Sequence, residues 1–411
     1  MNLAVETIII GGGQAGLALS YYLKQRNHEH IVLEAVSQPA FAWREQRWDS
    51  FTLLTPNWAL RLPGAHYDGP DPHGFLPREQ ILAYFEGYAQ RNQLPIQLDS
   101  RVTSVEPTGN GSGYRVSVNG QDYRAQNVVV ATGLFQQPKI PNIGQSISRR
   151  VQQLHSATYR NPEQLPAGAV LVVGSAQSGC QIAEELYQAG RQVYLCLSSA
   201  GRVPRSYRGK DVFEWLNITG VMDTTVDKLP SPRAKFASSA HVTGKDGGHT
   251  INLHQFARDG VRLLGRMAGA GEEKIQLRPG MHKSLEEADK FEAELVKNID
   301  KFIEHSGLQA PEEVLPQLRD GLSREELEEL DLAASGITSI IWATGFSFDF
   351  SLVRLPVTDA DGYPIQQRGV SEYPGLYFLG LPWLYKQKSG LLVGVGEDAE
   401  YLASTIAEDG R

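Results

Sequence analysis

Two glycine-rich turns about 160 residues apart are the features of this sequence best suited to chemistry. Each follows a short apolar run and precedes a segment with helical spacing. Both follow the pattern G-x-G-x-x-G, with alanine at the middle position of the second: Gly11, Gly13 and Gly16, then Gly174, Ala176 and Gly179. Such a strand–turn–helix unit binds a dinucleotide, because the backbone approaches the pyrophosphate and the helix N-terminus supplies N–H donors. Two units in one chain predict two dinucleotides held face to face, as in a flavoprotein reduced by a nicotinamide.

The first unit ends with an acid where a ribose would lie. The predicted strand His30–Leu33 runs into Glu34, about 20 residues beyond the glycines, and a carboxylate there can accept hydrogen bonds from both ribose hydroxyls. The alternatives for a glycine-rich start are a flexible loop or a signal peptide, but no basic segment precedes the apolar run. We therefore predict an FAD site. Its expected residues are Gly11, Gly13, Gln14, Ala15, Gly16, Glu34 and Val102.

The second unit has cations where the first has an acid. Its next predicted strand, Gln192–Leu197, is followed by Arg202, Arg205, Arg208 and Lys210, although the chain as a whole has a formal charge of −8. A cation at this position can pair with the 2′-phosphate of NADPH; a solvated basic loop is the alternative. We predict NADPH rather than NADH. Its expected residues are Gly174, Ser175, Gln177, Ser178, Gly179, Arg202 and Arg205.

Composition narrows the classes of partner. With 411 residues, the chain can form two or three domains, and no apolar run approaches the roughly 20 residues of a membrane span. Net acidity argues against nucleic acid and anionic membranes. Cys180 and Cys196 form no C-x-x-C pair, which dithiol-type disulfide reductases need, so we expect buried thiols in a reducing cytoplasm. No metal-ligand spacing, catalytic triad or carboxylate pair is recognisable, and the oligomeric state is left open.

Two further apolar strands end in the same three residues, once per unit. These strand ends are Ala131, Thr132 and Gly133, then Ala343, Thr344 and Gly345. We expect small residues there because two chain segments and a cofactor share the space. The predicted fold is α/β, with two Rossmann-like dinucleotide-binding domains of the FAD/NAD(P)-binding, three-layer ββα type. Residues 1–165 and 346–411 would form the FAD-binding domain, and 166–345 the NADPH-binding domain, with a helical insertion at about 211–336.

Several helices are predicted outside the two units. Apolar spacing predicts helices over Arg78–Asn92 and about Leu285–Ile303, and a last helix beginning within Gly390–Ala399. Ser323 with Glu326 has the form of a capping box that opens another helix, on which Glu325–Asp331 would be a solvated acidic face.

These motifs resemble the class B flavoprotein monooxygenases, which include flavin-containing, Baeyer–Villiger and YUCCA-like members. The similarity is strongest at residues 5–60, 125–205 and 336–400. The linker signature of that family is F-x-G-x-x-x-H-x-x-x-[W/Y/F]. In this chain His155 and Tyr159 match it, while Arg149 and Val151 replace the phenylalanine and the glycine.

The resemblance implies an enzyme in which NADPH reduces FAD, O2 adds to the reduced flavin, and a peroxyflavin transfers one oxygen atom to a small organic substrate. It also implies that Trp43 and Arg44 lie beside the FAD adenosine and diphosphate, and that Asn57 is a catalytic residue near the flavin. A lone histidine on a connector is more often structural, so we expect His155 to have an organising role; a chemical role is the alternative. The alternative for Trp43 and Arg44 is an ordinary core aromatic followed by a surface cation. The alternative for Asn57 is simple loop structure.

Two other functions are compatible with the sequence. One is an NADPH–flavin oxidoreductase that passes electrons to an acceptor without oxygenation. The other is a non-catalytic flavin-binding redox sensor, which the sequence disfavours because a second nucleotide site has no purpose without hydride transfer.

Overall fold

Two β-sheets with helices packed against them form the framework of the protein. The computed structural model describes residues 3–109, 113–198, 201–237 and 240–409. The principal strands are β1 (Leu3–Ile10), β2 (His30–Leu33), β3 (Ile96–Gln97), β4 (Val102–Pro107), β5 (Tyr114–Val118), β6 (Gln121–Val130), β7 (Gln152–His155), β8 (Ala169–Val173), β9 (Val193–Cys196), β10 (Arg262–Leu264), β11 (Arg266–Ala270), β12 (Lys274–Arg278), β13 (Glu329–Asp331), β14 (Ile337–Trp342) and β15 (Leu376–Phe378). Shorter paired strands are Arg61–Leu62 with Ala65–His66, Gln137–Pro138 with Phe346–Ser347, Ser206–Tyr207 with Lys210–Asp211, and Gly201–Arg202 with Ala240–Thr243 and His249–Thr250.

The α-helices connect and cover these strands. They are α1 (Gln14–Gln25), α2 (Phe41–Glu45), α3 (Arg78–Arg91), α4 (Gln177–Gln188), α5 (Val212–Ile218), α6 (Leu253–Arg258), α7 (Met281–Ser306) and α8 (Val395–Asp409). The predicted helices near Arg78, Leu285 and the C-terminus are therefore confirmed. In the described residues, none of these helices combines the length with the apolar character that crossing a membrane needs.

The first sheet has the order β3-β2-β1-β6-β5-β4, and β15 pairs with the last residues of β6. The strand β1 lies between β2 and β6 and is parallel to both, with Ile10 opposite Leu33 on one side and Val130 on the other. The carboxyl ends of these three strands therefore meet at one edge, which brings Gly11, Glu34 and Ala131 together. Because β15 joins this sheet and α8 packs against α1, the C-terminal segment belongs to the first sheet.

The second sheet is parallel throughout, in the order β7-β14-β8-β9-β10. Alternate residues of β8 enter two hydrophobic clusters: Val170 and Val172 lie in the cluster that includes residues of α4, and Leu171 and Val173 lie in the cluster that includes Ile275 of β12. The sheet is thus one layer between helices and the antiparallel sheet β11–β13. Because β7 pairs with β14, this sheet starts at residue 152, earlier than the expected boundary at 166.

The region expected as a helical insertion is mixed, since it contributes β10 to the second sheet and β11–β13 to the layer beside it. The predicted helix after Ser323 is wrong: Ser323 ends a 3-10 turn, and the acidic segment leads into β13. The carboxylate of Glu326 accepts hydrogen bonds from the backbone N–H groups of Gly280 (2.7 Å) and His282 (2.9 Å) at the start of α7. The free amides of a helix start attract this acid from 46 positions away in sequence.

Candidate dinucleotide-binding sites

The loop after β1 is so tightly packed that glycine is required at two of its positions. Gly11 has φ +114°, and a Cβ built there would lie 2.6 Å from the carbonyl oxygen of Ala131. A Cβ on Gly16 would lie 2.0 Å from the carbonyl oxygen of Gly11. The loop is fixed further by the N–H of Gly11, which donates to the carbonyl of Leu33 at 2.9 Å. We call Gly11–Gly16 with Ala131 the first cradle.

The outer side of the first cradle is open. Gly13 is the N-cap residue of α1, makes no side-chain cap, and has no heavy atom within 4 Å of where its Cβ would lie. The backbone at Gly13 therefore borders open space at the start of α1, where a pyrophosphate can approach. Neighbouring contacts fix the helix start, because the Gln14 amide donates to the carbonyl of Gly390 at 2.9 Å and Ala15 packs closely against Gly380.

Glu34 lies where the sequence predicts it, beside the first cradle. The residue is 6% exposed, and its carboxylate accepts a hydrogen bond from the N–H of Gly12 at 2.8 Å. Burial raises the pKa of Glu34, against the hydrogen bond from Gly12, which lowers it. A buried carboxylate at this strand end can accept further hydrogen bonds from a ribose.

The second glycine turn repeats this geometry, and we call Gly174–Gly179 with Ala343 the second cradle. Gly174 has φ +108°, and its Cβ would lie 2.5 Å from the carbonyl oxygen of Ala343. A Cβ on Gly179 would lie 1.9 Å from the carbonyl oxygen of Gly174. Ala176 is the N-cap residue of α4 and makes no side-chain cap. The two Ala-Thr-Gly strand ends thus make the same contact. The carbonyl oxygen of Ala131 packs against Gly11, and that of Ala343 packs against Gly174.

Side chains of the second cradle hold neighbouring segments. The Ser175 hydroxyl accepts a hydrogen bond from the N–H of Ser198 at 2.9 Å. The Gln177 amide donates to the carbonyl of Val242 at 2.6 Å and accepts from its N–H at 3.3 Å. Ser178 is partly buried in the first turn of α4. A strand of the insertion therefore lies against the start of α4.

Arg202 and Arg205, expected at the phosphate of NADPH, are instead engaged with carboxylates. Arg202 is 9% exposed and pairs with Asp289 at 2.7 Å and Glu292 at 2.8 Å. Burial alone would lower the pKa of Arg202, but the two acids leave it raised. Arg205 pairs with Asp211. Both cations expected at the phosphate of NADPH therefore already have carboxylate partners in this structure, since a buried guanidinium group needs such a partner.

Trp43 and Arg44 lie on α2, near the first cradle in sequence. Trp43 packs against Phe51 and Phe85, with ring centroids 6.0 Å away in both cases, and Arg44 forms an ion pair with Glu86. Val102 begins β4 and is partly buried. Between residues 43 and 52, three buried polar atoms have no hydrogen-bond partner: Arg44 Nε, Gln46 Oε1 and Thr52 Oγ1. Such orphaned atoms fit a polar ligand, which supports FAD binding here.

Asn57, expected as a catalytic residue, connects two parts of a loop. Its side chain is 2% exposed, donates to the carbonyl of Asp71 at 2.9 Å and accepts from the N–H of Leu76 at 2.7 Å. Both ends of the amide are thus occupied by backbone groups. These contacts fit the alternative of simple loop structure, and the catalytic role expected for Asn57 stays a prediction.

The strand ends Thr132–Gly133 and Thr344–Gly345 lie where the chain crosses between the sheets. The hydroxyl of Thr132 accepts from the Gln136 amide at 2.8 Å, and that of Thr344 donates to the carbonyl of Lys139. Gly133 and Gly345 have φ +73° and +78°, yet no heavy atom lies within 4 Å of either Cβ position. No described protein atom crowds these two glycines. The left-handed backbone favours glycine there, and the close protein contacts lie two positions earlier, at the alanine carbonyls.

His155 fixes one of these crossings. Its Nε2 donates to the carbonyl of Gly345 at 2.9 Å, and its Nδ1 accepts from the N–H of Ala157 at 3.1 Å. The ring is 3% exposed and packs edge-on against Phe346. Burial lowers the pKa of His155, so the imidazole is neutral at neutral pH. These contacts fit the organising role expected for a lone histidine on a connector.

Both cysteines are buried, with exposures of 0% for Cys180 and 1% for Cys196. Burial raises the pKa of Cys196 to about 12 and raises that of Cys180 as well. Neither thiol is placed to form a reactive thiolate.

Sequence reasoning missed one buried acid between the two sheets. Glu185 of α4 accepts hydrogen bonds from Tyr159 in the connector after β7 and from Ser50 in the loop after α2. Only Tyr159 gave a signal in the sequence, as the aromatic position of the linker signature.

Comparisons with known proteins agree with this geometry. A family model described as pyridine nucleotide-disulphide oxidoreductase matches residues 8–218. A protein of Geobacillus kaustophilus described as uncharacterized oxidoreductase CzcO-like is 36% identical over 410 residues, which cover 99% of each chain. The probable indole-3-pyruvate monooxygenase YUCCA1 of Arabidopsis thaliana is 29% identical over about half of each chain.

Solved structures share the fold along the whole chain. A flavin-containing monooxygenase from Stenotrophomonas maltophilia matches with a TM-score of 0.68 at 20% identity, covering 100% of both chains. The bacillithiol disulfide reductase of Staphylococcus aureus matches with a TM-score of 0.63 at 12% identity, again over 100% of both.

The chain belongs to the pyridine nucleotide-disulphide oxidoreductase family. The comparisons confirm the predicted α/β fold with two dinucleotide-binding domains, the class of flavin-dependent oxidoreductases, and the resemblance to flavoprotein monooxygenases. They also support FAD and NADPH as the cofactors of this kind of protein.

Proposed function

We propose that this member of the family is an NADPH-dependent FAD monooxygenase that transfers one atom of O2 to a small organic substrate. The observation that carries the proposal is the repetition of the cradle, which provides two dinucleotide sites on one chain. Named monooxygenases among the relatives and structural neighbours support the choice of chemistry. FAD, when bound, supplies that chemistry, since it accepts a hydride from NADPH and then reacts with O2.

In this proposal the first sheet, with residues 346–411, forms the FAD domain. The amides at the start of α1 bind the pyrophosphate, Gly13 leaves room for it, and Glu34 accepts hydrogen bonds from the ribose. Trp43 and Arg44 line the same site, where the orphaned polar atoms gain partners from the ligand.

The second sheet would bind NADPH through the amides of α4, with Gly174 and Gly179 permitting close approach. Since acids occupy Arg202 and Arg205, we assign neither to the 2′-phosphate. His155 holds the carbonyl of Gly345, and so keeps the strand end after β14 fixed, without moving a proton.

An NADPH–flavin oxidoreductase that does not oxygenate is the second candidate. The structural match to a bacillithiol disulfide reductase favours it. The buried cysteines argue against a route through this chain's own thiols, so electrons would pass from the flavin directly to an acceptor.

One experiment separates the candidates. The purified protein is reduced with NADPH without oxygen and mixed with ¹⁸O2, alone and with indole-3-pyruvate, S-allyl-L-cysteine or cyclohexanone as probes. A monooxygenase gives a transient whose spectrum differs from both reduced and oxidised flavin, and one ¹⁸O atom in the product of an accepted probe. Direct return to oxidised flavin, with no label in any product, supports the reductase. A flavin that NADPH does not reduce contradicts both and favours the sensor.

A further inference from the structure

Three segments meet at one buried carboxylate between the two sheets. Glu185 of α4 is 8% exposed and accepts a hydrogen bond from the hydroxyl of Tyr159, at 2.7 Å, and another from the hydroxyl of Ser50. Tyr159 is 0% exposed, and Ser50 lies at the surface in the loop after α2. We call Ser50, Tyr159 and Glu185 the hydroxyl node.

No cation forms an ion pair with the buried Glu185 within the described residues. A carboxylate removed from water needs compensation, and here two neutral hydroxyl groups supply it. Hydrogen bonds to an ionised acceptor are short and strong, so they restrict the geometry of the groups that make them.

Further hydrogen bonds join the connector to the same loop of the first domain. The N–H of Asp49 donates to the carbonyl of Arg160 at 2.8 Å, and the Asn161 amide donates to the Asp49 carboxylate at 2.7 Å. The guanidinium of Arg160 donates to the carbonyl of Arg47 at 3.2 Å. The loop and the connector therefore form one unit, and the hydroxyl node is where that unit is attached to α4.

We propose that Glu185 is a positioning residue: through Ser50 and Tyr159 it sets the angle between α4 and the FAD domain, and thereby the approach of the nicotinamide to the flavin. This inference rests on the proposed function, because it requires two nucleotides that exchange a hydride.

The distance between Glu185 and the start of α4 turns a small tilt of the helix into a large displacement of the nucleotide site. Gln177 at the start of α4 lies eight residues before Glu185, which is about 12 Å along a helix, so a tilt of about 5° at the node moves the nucleotide end by about 1 Å. A displacement of about 1 Å in a reaction that needs close alignment can reduce its rate by about 100-fold.

The test compares Tyr159→Phe and Ser50→Ala with a control, Tyr187→Phe. Tyr187 also lies on α4, but its hydroxyl contacts the carboxylate of Asp259 at 3.4 Å on an exposed side. We expect each node variant to keep its FAD content and its affinity for NADP⁺ within twofold. Flavin reduction at saturating NADPH should slow at least tenfold in both, while the control reduces at the wild-type rate. The double variant should lose less than the product of the two single effects, since both act through one carboxylate.

A readout without turnover is hydrogen exchange in the protein before NADPH is added. Amides of residues 45–50 and 157–161 should exchange faster in Tyr159→Phe than in the wild type, and those in β8 should not. If Tyr159→Phe fails to fold, Ser50→Ala decides, since Ser50 is at the surface.

A wild-type reduction rate in either folded node variant, or a loss of rate that only follows loss of FAD, would overturn the inference. Failure of the proposed function looks different, because it shows in the wild type. If the reduced flavin transfers no ¹⁸O, the comparison of reduction rates still applies to a reductase. The other failure is that NADPH does not reduce the wild-type flavin at all. In that last case hydrogen exchange decides. Unchanged exchange of the amides of residues 45–50 and 157–161 in Tyr159→Phe would overturn the hydroxyl node as a link between the domains, and faster exchange would support that link.

Discussion

Replacement of Arg202 by alanine distinguishes a buried structural cation from a phosphate-binding one. The guanidinium lies between Asp289 at 2.7 Å and Glu292 at 2.8 Å, and both acids are largely buried. Asp289 keeps Arg319 at 2.6 Å as a partner, whereas Arg202 is the cation that the structure gives to Glu292. Truncation therefore leaves Glu292 buried and unpaired, which costs about 3–5 kcal/mol of folding stability.

The assay has two parts. Urea unfolding of Arg202→Ala should show the loss of stability, and Arg124→Ala, which removes an exposed arginine, should show almost none. Flavin reduction by NADPH and by NADH should change by the same factor in the folded fraction. Because the cost comes from a stranded carboxylate, Arg202→Ala with Glu292→Ala should recover part of the stability. A selective loss of NADPH use at unchanged stability would refute this reasoning and restore Arg202 as the phosphate ligand.

Four further predictions follow from single positions. Gly13→Val should fold but retain little FAD, since the valine side chain enters open space that the pyrophosphate needs. Flavin absorbance per chain is the measurement. The control is Gly271→Val, because the Cβ position of Gly271 is equally uncrowded. Asn57→Ala should lose about 1–3 kcal/mol in urea unfolding, because two backbone groups lose their partner, yet reduce flavin at the wild-type rate; a rate loss would return Asn57 to catalysis. Burial lowers the pKa of His241 to about 4 in the folded protein, so the imidazole of the unfolded chain is protonated at a higher pH than that of the folded chain. The free energy of unfolding should therefore fall by about 3 kcal/mol as the pH drops from about 6.5 toward 4. His241→Gln should reduce this dependence of stability on pH. At Gly345, asparagine should be tolerated better than valine because the position has φ +78° and ample space, and equal melting temperatures would contradict this.

The most reliable sequence predictions concern features that a few neighbouring residues decide. The turn at Gly11–Gly16 and its repeat at Gly174–Gly179 depend on local backbone freedom, so the pattern alone indicates them. The helices α3, α7 and α8 follow from apolar spacing. The capping box at Ser323 failed because a local pattern competes with distant groups, and Glu326 satisfies the amides of α7 instead.

Local pattern in the sequence is enough to predict two dinucleotide-binding units and where each begins, because the required glycines and the acid at Glu34 lie within single βαβ segments. Which charges find partners, and which elements meet, depends on the folded chain as a whole. It paired Arg202 with α7, used Asn57 to join two parts of a loop, and brought Ser50 and Tyr159 to Glu185. The physical reason is that burial makes an unpaired charge or amide costly, so each finds a partner wherever the fold supplies one, at a sequence distance that no local pattern encodes.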